Sequence, residues 1–475
     1  MRGIHKSIAV AVIVIFAVGS LVPPAGFGIT VKEEEELSQE VLRTIFKQFE
    51  VIDDPLVVSY VNNVGNRIMA TLPEQPFKYH FYVIQEEVYN AFAIPAGHIF
   101  IYSGLIEAMD EEEELAGILG HEIAHVYARH ISQKIERSKK IGLATLAGVA
   151  AGILLGVGGA GEAASAVTMG SVAAGQSAEL AYSREDEMQA DQFGLKFITG
   201  AGYSASGLLK VLKKIRNKQW FGSEQIPTYL MTHPAVEDRI AYIGSWLDNY
   251  ARTAQPIAPV NPDEFRRVHT RIETQFVAEQ IAISKLEGEL ARNPDDPLAH
   301  YRYGLILARI GKRQEAIEQL RIALTKRAFD PYILEDFGRI YFLNGQYPEA
   351  LKTLESACGM IPNDPECKFY LARTQMELGQ MQEATNIFLN LSQQHPQFAP
   401  AYYYLGQSLG KQGNLGEAHY YLGIYYVKKQ DLKSAVAQLK LALRHQQDPE
   451  KREQIENLLS EISKQQGQAK SKEEG

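Results

Sequence analysis

The C-terminal half of the chain repeats itself every 34 residues, and this period restricts its fold more than any other feature. Asp-Pro pairs begin at Asp296, Asp330 and Asp364. Gly311, Gly345, Gly379 and Gly413 keep the same spacing, as do Glu-Ala pairs ending at Ala316, Ala350, Ala384 and Ala418. Each landmark has a physical task. Proline is tolerated in the first turn of a helix, because the N–H it lacks has no partner there. Glycine ends that helix in a tight turn, and the small alanine lets a second helix pack closely. Large side chains on the first helix, among them Tyr303, Ile306, Phe337, Tyr341 and Tyr404, fill the space between units. One such unit cannot bury its own apolar face, so the units must stack.

The pattern resembles the tetratricopeptide repeat, which implies an all-α solenoid. A further helix, Asp431 to His445, follows in altered phase and is expected to cap the stack. The Lys-, Gln- and Glu-rich tail after Ile462 is expected to be disordered. The array is either a passive scaffold or a docking surface, and solenoids commonly serve the second purpose. Cys358 and Cys367 are the chain's two cysteines. They form either one short bridge between consecutive repeats or two buried thiols.

The whole chain has 475 residues, enough for two or three compact units. Its net charge, 48 − 57 = −9, argues against a polynucleotide substrate, whose binding depends on neutralising phosphates. Arg2 and Lys6 precede an apolar run from Ser7 to Leu21, and small residues and prolines follow at Pro23 to Gly28. That order reads as an export signal over 1–28 rather than a membrane span. A second apolar run, Ile141 to Gly161, carries no charge and as a helix would measure about 31 Å. Its second arm, Ala163 to Ala178, is short and rich in small residues. The region 141–178 is read as a flap or amphipathic hairpin beside the cleft, with peripheral membrane contact as one role.

Residues 121 to 125 read His-Glu-Ile-Ala-His. On a helix His121 and His125 share one face and can hold one metal ion. Glu122 stands beside them as a general base for water activation. Asp110 to Leu119 has the apolar spacing of an amphipathic helix leading into this motif. Catalytic zinc needs a third protein ligand, and Glu187 in Glu187-Met188-Gln189-Ala190-Asp191 is the best candidate. Asp191, four residues on, is placed to take the outer N–H of a ligand histidine. Upstream, Asn90, Ala91, Phe92 and Ala93 begin a β-prone run that continues after a turn from His98 to Ser103. It is either an edge strand that binds peptide through its backbone or plain sheet core.

These blocks resemble the HtpX-like gluzincin metallopeptidases, and in particular their exported, repeat-bearing BepA-type members. The resemblance rests on NAFAIPAGHIFIYSGL, HEIAHVYARH at 121–130, EMQAD at 187–191, and Thr232-His233-Pro234 followed by Arg239. It implies one zinc ion per chain on His121, His125 and Glu187, with Glu122 as base and Asp191 behind the ligands. It also implies that His233 is a removable fourth ligand that keeps the enzyme latent. A loop residue or a transition-state donor is the alternative for His233. Arg129 and Arg239 could pair with carboxylates near the site and receive no chemistry.

The expected architecture is an α+β zincin-like metallopeptidase domain followed by an all-α tetratricopeptide-repeat solenoid. The expected limits are 29–262 for the peptidase, 263–465 for the repeats and 466–475 for a disordered tail, with the proline-rich stretch before Pro262 as linker. The resemblance implies a zinc endopeptidase of the periplasm that removes misassembled outer-membrane proteins, its repeats docking substrate or assembly machinery. A chaperone or adaptor with a latent peptidase is the rival.

Overall fold

Three short strands organise the first unit. The computed structural model describes residues 30–137, 182–221, 227–250 and 262–473. The expected signal segment and the apolar region 141–178 lie outside the described residues. The chain divides into two units, Met1–Val277 and Ala278–Gly475.

Strands β1 (His80–Ile84), β2 (Ala91–Ile94) and β3 (His98–Tyr102) form a sheet in the order β1-β3-β2. β1 runs parallel to β3 with His80 opposite His98, and β2 runs antiparallel with Ala91 opposite Ile101. The tight turn from β2 to β3 needs left-handed backbone at Ala96 (φ 63°) and Gly97 (φ 87°). A Cβ on Gly97 would sit 2.7 Å from the Lys78 carbonyl oxygen.

Alternation along the strands gives the sheet two buried faces. Phe81, Val83, Ala91, Ala93, Ile99 and Ile101 join one core with residues of α2 (Pro55–Met69) and α4 (Glu112–Tyr127). Ile84, Phe92, Ile94, Phe100 and Tyr102 join another with Leu37, Val41, Leu42 and Ile45 of α1 (Val31–Gln48). A capping box between Thr30 and Glu33 starts α1. The short α3 (Ser103–Glu107) follows β3. After α4 come α5 (His130–Arg137), α6 (Arg184–Gly200), α7 (Ser206–Phe221), α8 (Thr228–Thr232), α9 (Val236–Tyr250) and α10 (Pro262–Gln275). Helices α4 and α6 approach closely where Gly120 meets Gly194: a Cβ on Gly194 would lie 3.2 Å from the Gly120 backbone.

Helix α10 was expected to open the repeat region. Instead it lies in the first unit, where Phe265, Val268 and Ile272 enter the larger core. His269 Nε2 bonds the Glu107 carbonyl oxygen at 2.8 Å. The unit boundary therefore falls between Val277 and Ala278.

The second unit is a helical array: α11 (Glu279–Arg292), α12 (Pro297–Arg309), α13 (Arg313–Lys326), α14 (Pro331–Leu343), α15 (Tyr347–Met360), α16 (Pro365–Glu377), α17 (Met381–Gln394), α18 (Ala399–Lys411), α19 (Leu415–Lys428), α20 (Leu432–His445) and α21 (Pro449–Glu473). Asp296, Asp330 and Asp364 accept from the first-turn N–H groups of α12, α14 and α16, each with Pro behind. The four periodic glycines all adopt positive φ, between 77° and 85°. The periodic alanines are buried.

Two expectations change at the end of the array. The helix after Asp431 is not the last, because α21 packs Ile455 and Ile462 against Ala435, Leu439 and Ala442 of α20. The tail at 466–475, expected to be disordered, is helical to Glu473. Its Lys, Gln and Glu residues are good helix formers, and a helix already anchored by Ile455 and Ile462 propagates without a new nucleus. Cys358 on α15 and Cys367 on α16 are joined in a disulfide, with Cα atoms 5.7 Å apart.

Candidate metal centre

Helix α4 places His121 and His125 on one face, and both are fully enclosed (0 and 1 % exposed). Helix α6 brings in Glu187, and the turn after α8 brings in His233. Donor atoms of His121, His125, Glu187 and His233 all lie within 4.8 Å of one another. His121 Nε2 is 3.0 Å from His125 Nε2 and 3.3 Å from His233 Nδ1. Glu187 Oε1 is 3.0 Å from His233 Nδ1 and 3.4 Å from His125 Nε2. Four donors bonded at about 2.0–2.1 Å around one tetrahedral ion stand about 3.3–3.4 Å apart. The donor set fits such an ion in both type and spacing.

The outer hydrogen bonds decide which imidazole nitrogens are bare. Asp191 Oδ1, an acceptor only, lies 2.9 Å from His121 Nδ1 and favours the proton there, with Nε2 facing the cluster; the Arg239 Nη2 donor stands farther off, 3.2 Å from Nδ1 and 3.3 Å from Nε2. A second chain of bonds acts on His125. Gln189 Oε1 is 2.8 Å from His130 Nε2, and Asp186 Oδ1 is 3.9 Å from the same nitrogen. Both are acceptors, so His130 carries its proton on Nε2 and presents a bare Nδ1. That Nδ1 accepts from His125 Nδ1–H at 2.9 Å, which leaves the His125 Nε2 lone pair bare. The two Nε2 atoms face each other at 3.0 Å, a gap that a metal ion or a proton on one of them bridges.

His130 reaches this position because Arg129 turns the chain with φ 55°, a left-handed conformation rare for a side chain of this kind. The Arg129 guanidinium is held by the buried Glu34 of α1, with Nε to Oε1 at 2.7 Å. Arg239 of α9 is enclosed beside the cluster. Its Nε and Nη2 make a two-pronged bond to Asp191 at 2.8 Å each. Its Nη1 approaches Glu187 Oε2 at 2.6 Å as an ion pair without hydrogen-bond alignment.

Burial raises Asp191, but Arg239 and the His121 hydrogen bond outweigh it and hold the carboxyl at about 2. Burial and Arg239 disfavour charge on His121, yet Asp191 and Glu187 push it up to about 9. Protons therefore compete with a cation for this side chain. Burial raises Glu122. Among the described residues neither of its carboxylate oxygens has a hydrogen-bond partner, and Oε1 lies 3.5 Å from His233 Nε2.

Two aromatic rings pack against the cluster. The Tyr229 ring stacks on His233 at 4.3 Å and the Tyr182 ring on His125 at 3.7 Å. Tyr182 N–H donates to the Thr232 carbonyl at 3.0 Å, and Tyr229 N–H to the Tyr89 carbonyl at 3.2 Å, just before β2. Among the described residues β2 is an edge of the sheet. Its residues Ala91, Phe92 and Ala93, with Asn90, are nonetheless buried. Sequence reasoning gave His130, Gln189, Tyr182 and Tyr229 no role. The His130 signal was present, five residues after His125 in the same block, but the reversal at Arg129 that aims it back is not.

The sequence profile of peptidase family M48 matches residues 55–247. Tetratricopeptide-repeat profiles match 280–331, 309–365 and 341–409. A protein of Vibrio cholerae described as a putative beta-barrel assembly-enhancing protease is 32% identical over 216 residues, 46% of this chain and 44% of that protein. The beta-barrel assembly-enhancing protease of Escherichia coli K12 is 25% identical over 254 residues, 50% of this chain and 52% of its own length. The mitochondrial metalloendopeptidase OMA1 of Arabidopsis thaliana is 26% identical over 193 residues, covering 41% of this chain and 36% of that one. The chain thus spans about half the length of the first two curated relatives it matches.

Proposed function

Starting from a chain that carries an M48-family peptidase domain joined to tetratricopeptide repeats, we propose that it is a zinc endopeptidase of the bacterial envelope. The observation that carries the reading is the convergence of three imidazoles and one carboxylate beside the Glu122 carboxylate, which has no hydrogen-bond partner among the described residues. His121, His125 and Glu187 are the three ligands of one zinc ion per chain, and Asp191 and His130 fix the two histidine tautomers. Zinc held there supplies Lewis-acid polarisation of the scissile carbonyl and lowers the pKa of water. Glu122 takes the proton from the attacking water and returns it to the leaving amine nitrogen. The backbone of β2 is the strand along which a peptide substrate pairs. The repeats dock substrate or a protein of the outer-membrane assembly machinery. Relatives described as beta-barrel assembly-enhancing proteases support a substrate met during barrel assembly, and the periplasm is the location that goes with this reading.

His233 restrains this activity. Its Nδ1 takes the fourth corner of the cluster, where substrate and water must enter, so the closed arrangement is a latent one. The same observation favours a second reading, an assembly adaptor whose peptidase works rarely. Zinc content by atomic emission and casein degradation by three variants test both. One zinc per chain is expected, with faster proteolysis in His233→Ala and none in Glu122→Gln or in the double variant. Loss of activity in His233→Ala with zinc retained, on the order of 10²–10³, makes His233 a transition-state donor instead. Full rescue of envelope assembly by Glu122→Gln favours the adaptor.

A further inference from the structure

Arg373, half-buried on α16, sits in a cage of four aromatic rings. Its guanidinium carbon is 4.5 Å from the Phe342 ring of α14 and 4.6 Å from the Tyr404 ring of α18. Those are the first helices of the preceding and following repeats. Phe369 and Tyr370, from its own helix, lie at 5.6 and 5.7 Å. Rings engage a cation through their faces, whereas the five N–H donors of a guanidinium lie in its plane and seek acceptors. Among the described residues no hydrogen bond or ion pair takes those donors. Glu377, one turn further along α16, makes no ion pair with it.

The repeat register shows what is particular here. Positions 339, 373 and 407 are equivalent and hold Arg339, Arg373 and Gln407. Arg339 closes on Asp336 of its own helix, with Nε to Oδ1 at 3.0 Å. Gln407 donates to the Tyr403 hydroxyl at 2.7 Å. Of the three, Arg373 has its charge committed to no acceptor.

We propose that Arg373 anchors a docking site for an extended polypeptide segment, taking the carboxylate of an Asp or Glu side chain. Apolar neighbours of that acid pack on Phe342, Tyr370 and Tyr404. A planar guanidinium matches a carboxylate with two parallel hydrogen bonds. Held by four rings, it is already ordered, so binding does not freeze a floppy side chain. Because three consecutive repeats build the cage, the surface continues on both sides of Arg373, which suits a chain passing through rather than one ending there. The inference gives the docking role of the repeats a residue and a ligand class, and it does not depend on the peptidase reading.

The test uses the full chain with Glu122→Gln, so that no probe is cleaved, and fluorescence anisotropy with three short labelled peptides. One is amidated with a central Glu between Leu and Phe, one is its Gln twin, and one is the Gln twin with a free C-terminus. The Glu peptide should bind about 10–100-fold more tightly than its amidated twin, the range of a charge-assisted bond, and more weakly as salt rises. Arg373→Gln should abolish the difference and Arg373→Lys should keep part of it, with helical circular dichroism unchanged in both. Equal affinity for the Glu and Gln twins overturns the proposal, as does a preference that survives Arg373→Gln. Absence of saturable binding by all three overturns it too. Arg373-dependent binding of the free-ended Gln peptide as tight as that of the Glu peptide moves the site to chain ends and overturns the side-chain assignment.

Discussion

Replacing His130 tests whether a histidine outside the metal cluster sets its affinity. In His130→Ala the His125 Nδ1–H loses its acceptor at 2.9 Å. Without metal, His125 can move its proton to the other nitrogen and avoid the loss. With zinc on Nε2 it cannot, so the penalty falls on the loaded state. An unmet buried N–H costs about 1–3 kcal/mol, and outer-sphere partners typically govern about 10–100-fold in metal affinity. Since tenfold is about 1.4 kcal/mol, the two figures agree. His130→Ala should therefore weaken zinc binding about 10–100-fold, and His130→Gln, which can offer an amide oxygen, should recover much of it. Gln189→Ala should cost less, because Asp186 still favours the same His130 tautomer. Competition against a chromophoric chelator measures affinity without reference to activity, and imidazole nitrogen NMR reads the tautomers. Unchanged affinity in a folded His130→Ala protein, or a His130→Gln as weak as His130→Ala, would refute the relay.

Arg239→Gln removes the cation between two enclosed carboxylates, Glu187 and Asp191, and should cost about 3–5 kcal/mol of stability in urea melts of metal-free protein; a loss below about 1 kcal/mol would show that the pairs carry little. Reducing Cys358–Cys367, nine residues apart in sequence, should cost about 2–3 kcal/mol by the chain-entropy term. Oxidised protein should titrate no free thiol under denaturing conditions, and two thiols there rule the bridge out. His98 is pushed down to about 4 by burial and by neighbouring His80. The unfolded chain therefore takes up this proton first, near the ordinary value of 6.5, and stability falls as pH drops from there towards 4. His98→Gln should flatten that acid limb in urea melts at several pH values, and an unaltered slope would count against the assignment.

What could be read from the sequence follows the range over which each signal acts. The repeat array was legible because the period states its caps, turns and packing residues several times over. His121, Glu122 and His125 were legible because four residues of helix fix their shared face. Glu187 lies 62 residues beyond His125, and only its own four-residue spacing to Asp191 and the need for a third ligand pointed to it. Position 233 carried no local signal at all and came from resemblance. The apolar stripe of α10 says that Phe265, Val268 and Ile272 need a cover, but not which unit supplies it, so the linker drew the boundary too early. The same limit hid the contact that assembles the site. Gly120 and Gly194 read as ordinary helical glycines, each costing helix stability. Only when α4 and α6 cross there does the missing Cβ have a purpose: it lets the backbones close until the Glu187 carboxylate stands within 3.5 Å of both His121 and His125. The local cost and the distant benefit fall on different segments of the chain, and a pattern read within either segment registers only the cost.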